Sequence, residues 1–233
     1  MANFVLVHGS MHGAWCWRDL VRELEGRGHV AIAPDLPCED VEAGLGEYAD
    51  VIEAQLSAIA RSEGFVLVGH SLGSRTLPVV AARVPGARMV FLCSAPTALG
   101  PVDPEAFSGM VTEAYAAAEF EERPDGARRI SKAMARPLFF DDCDEETASW
   151  ATRQLRWQGS KPLMEASPLA DWPDSPMHMI VTRDDRVVRA DWLLGEASKW
   201  LSESVPVVLP GGHSPMLSRP VVLADALIGC ALG

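Results

Sequence analysis

The sequence predicts a mostly parallel, doubly wound α/β sheet with an inserted helical cap. Three observations carry that prediction. Over residues 1–95, short apolar runs rich in β-branched residues alternate with segments of helical periodicity, the pattern of strands buried on both faces and the helices that cover them. From about residue 96 to about residue 176 the rhythm stops, and from 177 to 233 it resumes. One sheet, interrupted and later continued, is expected to form a core from residues 1–95 and 177–233, with residues 96–176 as a cap or lid. Such an insertion sits at the carboxyl ends of the strands, where open α/β sheets bind ligands.

Asn3 to Val7 reads as the first strand, followed by His8-Gly9-Ser10-Met11-His12-Gly13, a loop too rich in glycine to be helical. Trp17, Leu20, Val21 and Leu24 recur at helical spacing, and Gly26 and Gly28 end that segment. Val30 to Ala33 is the second strand, stopped by Pro34. Tyr48, Val51, Ile52, Leu56 and Ile59 mark an amphipathic helix. Phe65 to Val68 is a third strand, Ser74 to Val84 a helix with no glycine before Gly86, and Arg88 to Cys93 a fourth strand. Between Pro96 and Pro176 no convincing strand is visible. That stretch is expected to be helical, with Phe107, Tyr115, Phe120, Phe139, Phe140, Trp150, Trp157 and Trp172 forming its core and part of a substrate wall. Met177 to Thr182 and Val205 to Leu209 restore strands, Trp192 to Leu201 is a helix, and Met216 to Leu232 closes the chain with another.

The 233 residues, 48% hydrophobic and 22% charged, suit one globular domain with a full core and room for an inserted subdomain. A formal net charge of −12 argues against nucleic acid and anionic membrane as partners. Cys16, Cys38, Cys93, Cys143 and Cys230 form no Cys-x-x-Cys and no paired spacing, so neither a disulfide framework nor a zinc site is indicated. No charged segment precedes the first apolar run and no run approaches a membrane span, so a cytoplasmic protein is expected.

The chemistry concentrates at Gly69-His70-Ser71-Leu72-Gly73, a Gly-x-Ser-x-Gly set between a predicted strand and a predicted helix. A serine at the tip of such a turn takes a strained backbone conformation, and side chains two positions to either side would collide with the neighbouring strand and helix. The turn lifts the Ser71 hydroxyl clear of the sheet at a helix N-terminus, whose free N–H groups face developing negative charge. Serine needs a base. Of the six histidines, His8 and His12 lie in the first loop, His29 and His178 lie at strands, and His70 adjoins the serine and is expected to point elsewhere. His213 follows the last strand in Pro210-Gly211-Gly212-His213-Ser214-Pro215, a flexible loop from which an imidazole can reach Ser71. The base needs a carboxylate to hold its tautomer, and Thr182-Arg183-Asp184-Asp185-Arg186-Val187-Val188 offers two. Asp185 is preferred over Asp184, because the acid of such enzymes sits a fixed step before a small apolar residue that opens the next helix, here Val188. The chain order is Ser71, Asp185, His213.

On the residues Phe4-Val5-Leu6-Val7-His8-Gly9-Ser10-Met11-His12-Gly13-Ala14-Trp15-Cys16-Trp17, Gly69-His70-Ser71-Leu72-Gly73 and Gly211-Gly212-His213, the chain resembles the α/β-hydrolase fold superfamily. Within it, the likeness is to the small lid-bearing branch with plant methyl-ester esterases, bacterial esterases and hydroxynitrile lyases. The resemblance implies that the backbone N–H groups of Ser10 and Leu72 form an oxyanion hole. Two departures separate the chain from the lyases. It has Gly9 where they carry threonine, and Ser214 where a lysine follows their catalytic histidine and manages the cyanide leaving group.

The expected activity is therefore hydrolysis of a small apolar or aromatic carboxylic ester through a Ser71–His213–Asp185 triad, with no metal or organic cofactor. The alternatives are a cofactor-free lyase and a ligand-binding receptor or pseudoenzyme on the same fold. A homodimer is the assembly to test.

Overall fold

The computed structural model describes residues 1–56, 64–201 and 205–232. Its strands in chain order are β1 (Asn3–Val7), β2 (Val30–Ile32), β3 (Phe65–His70), β4 (Arg88–Leu92), β5 (Phe120–Glu122), β6 (Arg128–Ile130), β7 (Met177–Thr182) and β8 (Val207–Leu209). Six of them form one sheet in the order β2-β1-β3-β4-β7-β8, and every pairing in it is parallel. Phe4, Val5, Leu6, Val7, Leu67, Val68, Val90 and Phe91 are fully buried in its centre, as continuous apolar runs covered by helices on both faces must be. The chain enters at β1, steps outward to β2 and returns to the other side of β1 at β3. The order reverses between β1 and β3, and their carboxyl ends open the crevice in which doubly wound sheets bind ligands. The loops that leave those ends are His8–Gly13 and the turn at Ser71.

The first core helix, Arg18–Gly26, buries Leu20 and Leu24; Leu45–Leu56 buries Tyr48, Ala49 and Ile52. Ile59, expected to extend that apolar stripe, lies outside the described residues. After Ser71 the chain runs as a 3-10 helix to Thr76 before the α-helix Leu77–Arg83 begins. The closing helix is broken rather than continuous, as Pro215–Ser218 and Pro220–Leu232. Arg219 between them leaves the helical region, at φ −144° and ψ 50°, because a residue before proline is pushed out of it.

Residues 96–176 contain five helices, at Pro104–Met110, Glu113–Ala116, Lys132–Phe139, Glu145–Gln154 and Lys161–Met164. They also contain the antiparallel hairpin β5–β6, where no strand was expected. Arg123-Pro124-Asp125-Gly126 builds its turn: Gly126 takes φ 86°, and the Ala127 N–H donates to Asp125 Oδ1 at 3.1 Å. This is proline–aspartate–glycine turn chemistry, joining strands too short to show an alternating pattern. Leu138, Phe139 and Phe140 pack into the same apolar core as the sheet. Among the described residues no helix is long and apolar enough to cross a membrane.

Because Leu67 lies in the central strand with none of its surface exposed, Leu67→Ala should cost about 2–5 kcal/mol of unfolding free energy, read as a lower urea midpoint at unchanged slope. A loss below about 1 kcal/mol would place the core elsewhere.

Candidate active site

His70 ends β3 in extended backbone, and Ser71 then turns to φ 49°, the left-handed region that a non-glycine residue enters only when its surroundings over-determine it. The surroundings are the two flanking glycines. A Cβ on Gly69 would lie 2.6 Å from Ser74 Cα, and one on Gly73 would lie 2.3 Å from the His8 carbonyl oxygen. The first collision is with the following helix and the second with the end of β1. Ser74 secures the turn from within, its hydroxyl donating to the Gly69 carbonyl at 2.6 Å.

Ser71, Leu72 and Ser10 all line one cavity of about 240 Å³. The Ser10 N–H makes no hydrogen bond to any described residue, and Leu72, second in its 3-10 helix, lies within the first turn, whose N–H groups have no acceptor inside the helix. Both amides that the resemblance assigns to an oxyanion hole are thus unspent beside the serine. The cavity wall is mostly apolar, with Phe107, Val111, Tyr115, Val187, Val188 and Trp192, while Ser74, Arg75, Ser94 and Thr97 make its polar side. Of the eight aromatic residues singled out between residues 96 and 176, Phe107 and Tyr115 reach this wall. Trp192, from the helix after the acid loop, was not anticipated there; its place directly downstream of Val187 and Val188 was the available signal.

His213 is buried in the loop after β8, and its Nδ1–H donates to Asp185 Oδ2 at 2.8 Å. Asp185 is buried too, and its other donors are the N–H groups of Val187 at 2.7 Å and Val188 at 3.0 Å and the Thr182 hydroxyl at 3.5 Å. A buried carboxylate held by four donors is a satisfied one. Asp184 is exposed and does different work: its Oδ2 accepts the Gly211 N–H at 3.2 Å and its own N–H donates to the Gly211 carbonyl at 3.1 Å. It fastens the acid loop to the histidine loop. No hydrogen bond joins Ser71 to His213 in this structure; such bonds commonly tighten only with substrate.

His70 points away from the cavity, as its position required, and has a further role that the sequence did not disclose. Its Nε2–H donates to the backbone carbonyl of His213 at 2.8 Å, with the two rings 4.7 Å apart. Phe139, at the end of the helix Lys132–Phe139, stacks on His213 at 5.9 Å between ring centroids. Donor atoms of His70, Cys93 and His213 lie within 4.8 Å of one another, but two already serve protein partners, His70 at the His213 carbonyl and the Cys93 thiol at Thr182 Oγ1, 3.2 Å away. The cluster belongs to the histidine's surroundings.

The remaining loop histidines are structural. His8 donates from Nδ1 to the Gly9 carbonyl at 2.9 Å and accepts the Leu36 N–H at Nε2 at 3.0 Å, which fixes a neutral tautomer. His12 donates from Nδ1 to the Ser10 carbonyl at 2.7 Å. Burial pushes His8 down to about 4 and His12 down to about 3, and it holds His70 well below the ordinary imidazole range.

A family model described as "Alpha/beta hydrolase family" matches residues 4–226. Methylesterase 1 of Arabidopsis thaliana is 28% identical to this chain over 98% of its length and 95% of the relative's. The crystal structure of a pyrethroid hydrolase from Sphingobium faniae JZ-2 superposes with a TM-score of 0.83 at 24% identity, covering 100% of this chain and 98% of that one. Polyneuridine aldehyde esterase gives 0.83 at 19% identity, with 98% of each chain covered. The two structures share the fold.

The buried histidines generate a pH prediction. Each binds a proton in the unfolded chain below its ordinary value of 6.5, but in the folded chain only below about 4 for His8 and about 3 for His12. Stability is therefore unaffected above that ordinary value and falls as pH drops through the interval, by a few kcal/mol for each group. Thermal melts from pH 8 to pH 4 should be level and then fall below about pH 6.5. His12→Asn, which keeps a donor near the Nδ1 position, should flatten the fall; an identical slope would show that His12 is not buried as the neutral form.

Proposed function

The chain belongs to the alpha/beta hydrolase family, and from that premise we propose that it is a serine esterase in which Ser71, His213 and Asp185 cleave a small carboxylic ester through an acyl-enzyme. The observation that carries this reading is the coincidence of a strained serine on a cavity wall with a buried imidazole held by a buried carboxylate at 2.8 Å. His213 Nε2 takes the Ser71 proton as Oγ attacks the ester carbonyl. The oxyanion that forms faces the Ser10 and Leu72 amides, one such donor being worth about 3 kcal/mol of barrier. Collapse of the tetrahedral intermediate expels the alcohol, which leaves with the proton from His213. Water, deprotonated by the same imidazole, then releases the acid. Asp185 holds the Nδ1–H tautomer and stabilises the imidazolium. The scheme uses no metal or organic cofactor.

The substrate in this reading is a small apolar or aromatic ester, matched to the wall of Phe107, Tyr115 and Trp192. Residues 96–176 act as the cap that supplies much of that wall. The similarity to Methylesterase 1 supports ester hydrolysis. Gly9 speaks against the lyase alternative, since a Cβ there would lie 2.7 Å from His70 Nδ1; the lyases' threonine would displace the ring that holds the His213 carbonyl. The five unpaired cysteines fit a reducing compartment, and we place the enzyme in the cytoplasm.

The test is steady-state turnover of short-chain and aromatic nitrophenyl esters. Ser71→Ala should abolish it in a folded protein, Asp185→Asn should lower kcat by about four orders of magnitude, and Asp184→Asn by less than about tenfold, since it touches only the loop anchor. Turnover that survives Ser71→Ala would end this reading, and equal losses at Asp184 and Asp185 would reassign the acid.

A further inference from the structure

The backbone beside Ser10 is held in part by a residue far along the chain. Two peptide units flank it, with four polar groups between them. The Gly9 carbonyl accepts from His8 Nδ1–H at 2.9 Å and from the His12 N–H at 3.3 Å. The Ser10 carbonyl accepts from His12 Nδ1–H at 2.7 Å. The Met11 N–H donates to Gln158 Oε1 at 3.3 Å. Only the Ser10 N–H is left over, beside the cavity.

Two of those groups are tied by histidines of the loop itself. A third is tied by residues 128–158, which grip Met11 at every polar atom. Its carbonyl accepts the Arg156 N–H at 2.8 Å, and its Sδ lies 3.1 Å from the Ile130 N–H. The grip matters because Met11 stands at φ 62°, a conformation a side-chain-bearing residue leaves unless held. Gln158 is well placed to hold it. It is 7% exposed, its Nε2 donates to Tyr48 Oη at 3.0 Å and to the Gly159 carbonyl at 2.9 Å, and its backbone pairs with Arg128 in both directions at 2.9 Å. With both donors spent, the amide can present only its oxygen to Met11. Neither Met11 nor Gln158 lines the cavity.

We propose that Gln158 is a positioning residue for the oxyanion hole: through the Met11 N–H it fixes the Ser10–Met11 peptide and so aims the Ser10 amide at the reacting carbonyl. The proposal rests on the esterase reading above, with Ser10 as an oxyanion donor. Its effect falls on the oxyanion and not on ester binding, because neither Gln158 nor Met11 lines the cavity. A donor misplaced by a fraction of an ångström keeps substrate binding and loses rate.

The experiment compares wild type with Gln158→Leu and with Tyr48→Phe, which keeps the ring and frees one end of the amide. The readouts are kcat and KM on the best nitrophenyl ester, the inhibition constant of the corresponding trifluoromethyl ketone, whose adduct with Ser71 places an oxyanion in the hole, and ester affinity on a Ser71→Ala background. Gln158→Leu should lower kcat and weaken the ketone in parallel, by about tenfold to a hundredfold, with KM and ground-state affinity within about threefold. Tyr48→Phe should shift the same two quantities in the same direction by less, and it decides the matter if Gln158→Leu does not fold. Unchanged kcat and ketone affinity, or KM and ground-state affinity moving together with kcat, would overturn the proposal. A wild-type protein that neither turns over esters nor binds the ketone would instead overturn the esterase reading on which it stands.

Discussion

The end of β1 and the turn after β3 meet at backbone contact, closer than any side chain between them would allow. Gly73 would place a Cβ 2.3 Å from the His8 carbonyl oxygen and 2.9 Å from that of Val7. The contact is possible because β1 pairs in parallel with β3 over the full length of β1, Asn3 with Phe65 through to Val7 with Gly69. The two strands finish within one residue of each other, at the point where the sheet order reverses. Ser71 has nowhere to go but the left-handed region, and the Ser10 and Leu72 amides come to line one cavity. Strain of this kind costs about 1–3 kcal/mol and persists only where packing over-determines it. Here the central strands of the sheet do so.

The second constraint is electrostatic. His12 and His70 are buried near His213, His8 is buried beside those two, and desolvation lowers all three. Their hydrogen bonds are those of neutral rings, each donating once to a backbone carbonyl. They brace the first loop and the histidine loop without adding charge beside the serine. Asp185 collects four donors, one of them from His213. The carboxylate and the imidazole therefore meet in a buried, hydrogen-bonded pair, which in the proposed mechanism leaves the imidazole's other nitrogen for proton transfer.

Most of this frame was readable before any coordinates. The strands announce themselves as short β-branched runs, and Gly69 and Gly73 announce the turn because local sterics alone demand them. The choice of Asp185 over Asp184 rested on its spacing to Val188, and the structure finds Asp185 buried against His213 with Asp184 exposed at Gly211. What escaped the sequence was set by contacts distant along the chain or by signals too short to see. The β5–β6 strands span three residues each. Arg219 interrupts the last helix because Pro220 follows it, a single break inside an otherwise apolar helical run. The bond from His70 to the His213 carbonyl spans 143 positions and that from Gln158 to Met11 spans 147, so no local pattern could have shown either.

The esterase reading stands or falls with Ser71 as the nucleophile of a preorganised site. The most direct measurement is intact-protein mass followed by peptide mapping after treatment with a fluorophosphonate, which phosphonylates only an activated serine. One adduct per chain is expected, on the peptide carrying Gly69-His70-Ser71, suppressed by a competing small ester. No adduct, or an adduct on another residue, would contradict it.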